Sequence, residues 1–306
     1  MLDAALIEPT YESADIDMRG TLLIDEPMAS HTSWRTGGRA ERYFIPADID
    51  DLSVFLAQLA DHESVVWLGL GSNLLVRDGG INGTVIAVTG VLNEMTLLQS
   101  GLKVGAGLTC ARAARFSAAN GLHGAEFLAG IPGTMGGALA MNAGAFGAET
   151  WDIVKNVETI NRKGERQLRQ PGDFDIGYRS VNIAADEWFI AAELGLQIDK
   201  GQAARSNIRE LLVQRAQSQP IGEPSCGSVF RNPQGDYAGR LIELCGLKGK
   251  CIGGACVSEK HANFIINTGA ATAADIENLI LHIQETVQQK CQVQLQTEVR
   301  IMGESR

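Results

Sequence analysis

Three side chains stand out in the 306 residues as able to do chemistry, and each has a bland reading beside the sharp one. Arg179 follows Tyr178 after the run Gly172-Asp173-Phe174-Asp175-Ile176-Gly177. A guanidinium there is either a surface charge or a two-pronged clamp for a carboxylate. Ser228 lies in Cys226-Gly227-Ser228-Val229-Phe230-Arg231-Asn232-Pro233. A hydrolase nucleophile at Ser228 needs a base and the GxSxG turn, and that turn is absent, which leaves a serine turn as the plain reading. Glu298 falls on one side of the alternating segment Gln292–Met302. Val293, Leu295, Val299 and Ile301 share one face there, and Gln294, Gln296, Glu298 and Arg300 share the other. By itself such a polar face is simply solvated.

Glycine supplies the second signal. The 35 glycines concentrate in 67–83, 121–147 and 227–254, between apolar segments, as tight turns approaching a ligand would require. The loop Gly69-Leu70-Gly71-Ser72-Asn73-Leu74-Leu75 follows a short apolar run. Exposed backbone N–H groups in such a loop can meet a pyrophosphate. Leu74 breaks GxGxxG and no GK[ST] follows, so neither the Rossmann fingerprint nor a P-loop is present. The second loop, Gly130-Ile131-Pro132-Gly133-Thr134-Met135-Gly136-Gly137-Ala138, leads to Met141-Asn142-Ala143-Gly144-Ala145. Four glycines and a proline make a poor helix or strand interior. They let backbone approach something flat or charged, either a ligand or a neighbouring layer.

Regular elements must hold these loops. Leu52, Phe55, Leu56 and Leu59 behind Asp48 predict a helix, and Val65–Leu68 a buried strand running into Gly69. Leu97–Val104 reads as a hairpin turning at Ser100–Gly101, and Thr109–Asn120 as a helix ended by Gly121. Val157–Ile160, Arg166–Leu168 and Phe189–Ile198 read as strands. Gly201–Gln219, with Ile208, Leu211 and Leu212, reads as a helix closed by Pro220, and Ala238–Cys245 as a shorter one. Thr272 and Asp275 form a capping box for a helix through Gln289. A boundary near Gly201 divides a strand- and glycine-rich front from a helix-richer back.

Composition narrows the function classes. A net charge of −10 argues against a broad nucleic-acid surface. No apolar run reaches the ~18 residues of a membrane span, and the acidic first twenty residues lack the pattern of a signal peptide and read as a tail. The six cysteines, Cys110, Cys226, Cys245, Cys251, Cys256 and Cys291, form no CxxC pair. That spacing offers no zinc or iron–sulfur site, and reduced thiols are the simpler expectation.

Three segments together carry a resemblance to a known family: GLGSNLLV at 69–76, AEFLAGIPGTMGGALAMNAGAFG at 125–147 and TSWRTGGRAE at 32–41. They resemble the FAD-binding part of UDP-N-acetylenolpyruvoylglucosamine reductases, over most of the chain from about residue 30 to Gly303. The resemblance implies an α+β fold of the vanillyl-alcohol-oxidase/PCMH-like flavoprotein type. Two small subdomains, 21–90 and 91–200 behind the tail 1–20, would sandwich FAD non-covalently, and 201–306 would bind substrate. It assigns the cofactor contacts to Gly69, Gly71, Ser72, Asn73, Leu74, Gly130, Ile131, Pro132, Gly133, Thr134, Gly136, Gly137, Asn142, Ala143 and Gly144.

For the reaction, the resemblance implies Arg179, Ser228 and Glu298 as catalytic, Ser228 giving the proton. Tyr178, Asn232, Lys248 and His261 would face a nucleotide-sugar substrate, Lys248 its diphosphate. NADPH would reduce the flavin first, in the same cleft and in ping-pong fashion, and peptidoglycan precursor synthesis in the cytoplasm would be the setting. No metal is implied, and a monomer is favoured. The sequence departs from the family pattern at Val181, where the YRxS serine is expected, at Arg231 for a lysine, and at Ser218, where a lysine is usual. The spacing from Arg179 to Ser228 and on to Glu298 resembles the shorter branch of the family, which lacks the tyrosine-bearing insertion. A flavin oxidoreductase of the same fold on another sugar or hydroxy acid, and a non-enzymatic nucleotide-sugar binder, are the two rival readings.

Overall fold

Four parallel or antiparallel strands and one capped helix build the first layer of the protein, seen here in a computed structural model that describes residues 17–199 and 203–306. Most of the expected tail, residues 1–16, and the expected boundary at Gly201 lie outside the described residues. The strands run in the order Thr21–Pro27, Arg39–Ile45, Ile81–Ala87, Val65–Leu68, the first pair antiparallel and the others parallel. Helix α1 (Ile49–Gln58) starts where the Asp48 carboxylate accepts from the N–H groups of Asp50 and Asp51. Its Leu52, Phe55 and Leu56 are fully buried against Phe44 and Ile86, each contributing about 1.5–3 kcal/mol by leaving water.

An antiparallel five-stranded sheet forms the second layer, ordered Arg166–Arg169, Val154–Asn161, Glu187–Gly195, Gly101–Gly105, Met95–Leu98. Helix α2 (Cys110–Ala119), capped by Thr109, and helix α3 (Met135–Met141), capped by Thr134, bury alanine and leucine faces against it. Gly121 takes a φ of 69° just after α2, the left-handed turn that glycine permits. The expected strand 189–198 is broken at Leu196: Glu187–Gly195 stays in this sheet, while Gln197–Ile198 pairs with Leu122–His123. Helix α4 (Ala204–Ser218) buries Ala204 and Ile208 and leaves Leu212 exposed, because only a narrow stripe meets α2 and the turn Glu126–Gly130.

The third layer packs helix α5 (Ala238–Leu244) and helix α6 (Ala273–Cys291) on the strands Cys251–Ile252, Ala255–Val257 and Ile265–Asn267. Thr272 and Asp275 make the anticipated capping box. Two residues of the front, Trp34 and Leu75, are buried in this third core. Trp34 Nε1 donates to the Ile265 carbonyl at 2.8 Å, and the Asp78 carboxylate caps α6 through the N–H groups of Ala273 and Ala274. The front and back of the chain are therefore tied together by direct contacts.

Two expectations need correction. Gln292–Met302 is not one continuous strand. Gln292 is left-handed, at φ 56°, and ladder pairing begins only at Arg300–Met302, which runs parallel to Leu74–Val76. Upstream, an isolated antiparallel bridge joins Thr297 to Phe230, flanked by backbone hydrogen bonds from Arg231 N to the Gln296 carbonyl and from Glu298 N to the Val229 carbonyl. The alternation nonetheless governs burial, with Leu295 and Val299 inside and Glu298 on the other side. The cysteines are not all reduced: Cys251 and Cys256 are joined, S–S 2.02 Å, because the antiparallel pair places them directly opposite each other. Cys110, Cys226, Cys245 and Cys291 are free. Among the described residues no helix is long and apolar enough to cross a membrane.

Candidate active site

A cleft of about 750 Å³ opens where the three layers meet, within the range of cofactor and ligand sites. Both glycine loops line it. Gly69 ends its strand so close to Thr134 that an added Cβ would lie 2.4 Å from Oγ1, and a Cβ on Gly133 would lie 3.3 Å from Ser72 Oγ. The backbone of the first loop therefore packs directly on the Thr134 side chain of the second, which glycine at 69 allows. Gly71 has φ 59° and no room for a Cβ, which would sit 2.0 Å from the His31 carbonyl. Among the described residues, the N–H groups of Leu70, Gly71, Ser72 and Asn73 meet no protein acceptor, which leaves them available to an anion.

The third layer is stitched to the first loop at Glu298. Asn73 Nδ2 donates to the Glu298 carbonyl at 3.1 Å, and Arg300 N donates to the Asn73 carbonyl at 3.0 Å. From the other side, Glu298 N donates to the Val229 carbonyl at 2.8 Å, so Ser228 and Glu298 enter the cleft from adjacent backbone. Cys226 packs its sulfur on the Gly71 and Leu74 carbonyls and its thiol is pushed up to about 12 by burial, as an inert spacer.

Arg179 reaches the same place from the second layer. Its backbone is left-handed, at φ 53°, between the paired strands Asp175–Gly177 and Ser180–Asn182. Its guanidinium donates to the Gly144 carbonyl at 2.9 Å and the Asn142 carbonyl at 3.2 Å, and Nε lies 3.3 Å from Glu298 Oε1. The Arg179 and Glu298 side chains are only 16% and 20% exposed. Burial pushes the Glu298 carboxyl above its ordinary value, while Arg179 and Arg231 oppose the rise without cancelling it. A carboxyl that keeps its proton beside a fixed guanidinium can donate a hydrogen bond to a bound carboxylate.

The cleft thus unites Arg179, Ser228 and Glu298 with Gly69, Gly71, Ser72, Asn73, Leu74, Gly130, Ile131, Pro132, Gly133, Thr134, Gly136, Gly137, Ala143 and Gly144, and with Tyr178 and Asn232. It does not include Asn142, Lys248 or His261. Asn142 is buried behind the second loop, where its side chain donates to Glu149 Oε2 and the Gly177 carbonyl and accepts from Trp151 N. Lys248 pairs with Glu243 at 2.9 Å. His261 packs edge-on against Phe264, and burial pulls its imidazole below the usual value.

Other lining residues were not singled out from the sequence. Trp67 and Trp188 stack with centroids 5.4 Å apart, and among the described residues the buried Trp67 Nε1 meets no protein partner. Arg215 and Arg300 line the wall too. Arg300 was legible as the cleft-side neighbour of Glu298 in the alternating segment, while nothing local marked Trp67 or Arg215. Where the family pattern has serine, Val181 is buried in the second core and lines the cleft.

Comparison with known proteins agrees with this geometry. A family model described as the FAD binding domain matches residues 40–167, and one described as the C-terminal domain of UDP-N-acetylenolpyruvoylglucosamine reductase matches residues 219–302. The chain is 56% identical over 291 residues to a UDP-N-acetylenolpyruvoylglucosamine reductase of Legionella pneumophila, 94% of either chain being covered. It is 57% identical over 288 residues to one of Nitrosococcus oceani, covering 94% of this chain and 97% of that one. A crystal structure of the Thermus caldophilus reductase superposes with a TM-score of 0.79 at 32% identity, covering 93% of this chain and 99% of the other.

Proposed function

Because the chain belongs to the UDP-N-acetylenolpyruvoylglucosamine reductase family, we propose that this cleft performs the family reaction: NADPH-dependent reduction of UDP-N-acetylenolpyruvoylglucosamine to UDP-N-acetylmuramate on non-covalently bound FAD. The observation that carries the reading is the meeting of Arg179, Ser228 and Glu298, from two layers and three separate segments, in the cleft that both glycine loops line.

The residues present fit FAD. The volume is adequate, and among the described residues the 70–73 backbone N–H groups and the buried Trp67 Nε1 meet no acceptor. FAD, when bound, supplies the hydride that no side chain can donate. Everything else falls to the protein. Arg179 is pre-oriented by the Gly144 and Asn142 carbonyls, so it clamps the enolpyruvyl carboxylate with little ordering cost. Burial favours the protonated form of Glu298, and in that form it donates a hydrogen bond to the same carboxylate as negative charge develops there. Ser228 gives its hydroxyl proton to C2. Tyr178 and Asn232 line the same cleft and would face the substrate.

We place the reaction in the cytoplasm, where NADPH is kept reduced, in the supply of peptidoglycan precursors. A monomer suffices, since the cleft is assembled from one chain. The deciding assay is NADPH oxidation by the purified, yellow protein with and without the enolpyruvyl nucleotide sugar. Oxidation that depends on that compound and yields UDP-N-acetylmuramate is expected. A colourless folded protein, or oxidation indifferent to the compound, overturns the reading.

A further inference from the structure

Four of the six cysteines, Cys245, Cys251, Cys256 and Cys291, belong to the third layer, and none of these four lines the cleft. Cys251 and Cys256 are already bonded to each other. Elsewhere, Cys110 and Cys226 are buried, and burial pushes both thiols up to about 12, so they are inert. Cys245 and Cys291 differ from both sets. Cys245 caps the end of α5, Cys291 is the last residue of α6, and their free sulfurs stand 3.6 Å apart. A disulfide holds its sulfurs about 2.05 Å apart, so these two need to close by only about 1.5 Å. The two thiols are unequally placed: Cys245 is 5% exposed, whereas Cys291 is partly open to solvent. Cations flank the pair. Burial, and then Cys291 itself, raise the Cys245 thiol, while Lys290, whose ammonium donates to the Cys245 carbonyl at 3.0 Å, pulls against them. Arg240, itself paired with Asp236, interacts electrostatically with Cys291. A partly exposed sulfur among cations is the setting in which thiolate becomes available.

We propose that Cys245 and Cys291 form an oxidative modification site, at which a hydroperoxide converts the two thiols into a disulfide tying the end of α5 to the end of α6. Cys291 is the entry point, because it is the one that solvent reaches. Its thiolate attacks the O–O bond, takes one oxygen as a sulfenic acid and releases the other as an alcohol, or as water from hydrogen peroxide. Cys245 sulfur then attacks Cys291 sulfur. The S–O bond breaks, the S–S bond forms, and the hydroxide that leaves takes the Cys245 proton and departs as water. Two electrons and two protons thus pass from the thiols to the peroxide. The bond closes a chain separation of 46 residues and is reversed by exchange with a small thiol. Cys245 is too buried to meet peroxide directly, so its part is to resolve the oxidised Cys291 before further oxidation makes the change irreversible.

The site lies outside the cleft and is independent of the reaction proposed there, so its test reads sulfur chemistry rather than turnover. Flavin-loaded wild type is treated with a small molar excess of hydrogen peroxide, unfolded, alkylated and digested without reductant. The alkylatable thiols should fall from four, Cys110, Cys226, Cys245 and Cys291, to Cys110 and Cys226 alone. A linked peptide pair carrying Cys245 and Cys291, lighter than its two parts by two hydrogens, should appear. Thermal unfolding of the linked protein should shift upward by about 5–10 °C, because the bond restricts the unfolded chain. In Cys245→Ser, Cys291 has no resolving partner and should be captured by dimedone as the sulfenic acid, or pass to higher oxides. Both thiols still alkylated after peroxide, or Cys291 oxidised singly in wild type while Cys245 stays free, overturns the proposal, and neither reading needs a variant to fold. A link that leaves the unfolding temperature unmoved sinks the tie between the helices. An unmodified Cys291 in folded Cys245→Ser removes it as the entry point.

Discussion

Replacing Arg179 by methionine removes the cation whose Nε lies 3.3 Å from Glu298 Oε1 and leaves that carboxyl largely buried. Coulomb attraction at that separation, with an effective dielectric near 20, sets a ceiling of about 5 kcal/mol. The net value is smaller, because both side chains keep some exposure and Arg231 still acts on Glu298. A coupling of about 1–3 kcal/mol is the appropriate expectation for a partly buried pair.

The sign and the pH window follow from Glu298. Its folded-state pKa is raised, so the folded protein holds this proton more tightly than the unfolded chain does. The stability this contributes is present below the ordinary carboxylate value and is lost as pH rises through the raised one. With Arg179 gone the folded pKa climbs further and the loss extends to higher pH. Chemical unfolding of wild type, Arg179→Met, Glu298→Gln and the double variant between about pH 4 and 8 yields the coupling as a double-mutant cycle. It should be near zero at acid pH, where Glu298 is neutral with or without Arg179, and should grow above the ordinary carboxylate range. A coupling that is flat across that window, or absent, refutes the description of Glu298 as a buried carboxyl whose charge is decided by Arg179.

Two further outcomes are expected. Ser228→Ala should leave NADPH-dependent flavin bleaching close to wild type in stopped-flow measurements while slowing reoxidation by the enolpyruvyl substrate about 10²–10⁴-fold; equal losses in both half-reactions would remove Ser228 as the proton donor. Gly69→Ala forces a methyl to within 2.4 Å of Thr134 Oγ1, the cap of α3, and should cost about 1–3 kcal/mol and lower the flavin-to-protein absorbance ratio. Gly172→Ala, with nothing within 4 Å, is the control, and equal flavin content in the two variants would contradict the loop-on-loop contact.

Much of the local structure was written in short-range signals. Asp48, Thr109 and Thr272 start their helices by bonding backbone N–H groups two or three residues on, and such interactions need no distant partner. The alternation at 292–302 likewise fixed which way Glu298 faces even though most of the segment is not a strand. The glycine loops were legible because close backbone approach demands glycine whatever comes near. Burial of an individual charge, by contrast, depends on chain far away in sequence. The raised pKa of Glu298 arises from burial that Arg179 and Arg231 only partly offset, and the docking of Trp34 depends on Ile265.

Residue types and spacing marked the helices, the strands and the glycine loops of this protein, while the resemblance to a known family supplied the α+β flavoprotein class and the roles of Arg179, Ser228 and Glu298. Tertiary structure decided that these three converge, that Asn142 braces the second loop while Lys248 and His261 stand outside the cleft, and that Cys251 and Cys256 are bonded. The division has one physical cause: caps, turns and alternation are settled within a few residues by the backbone, whereas burial and charge compensation are sums over neighbours that only the folded chain brings together.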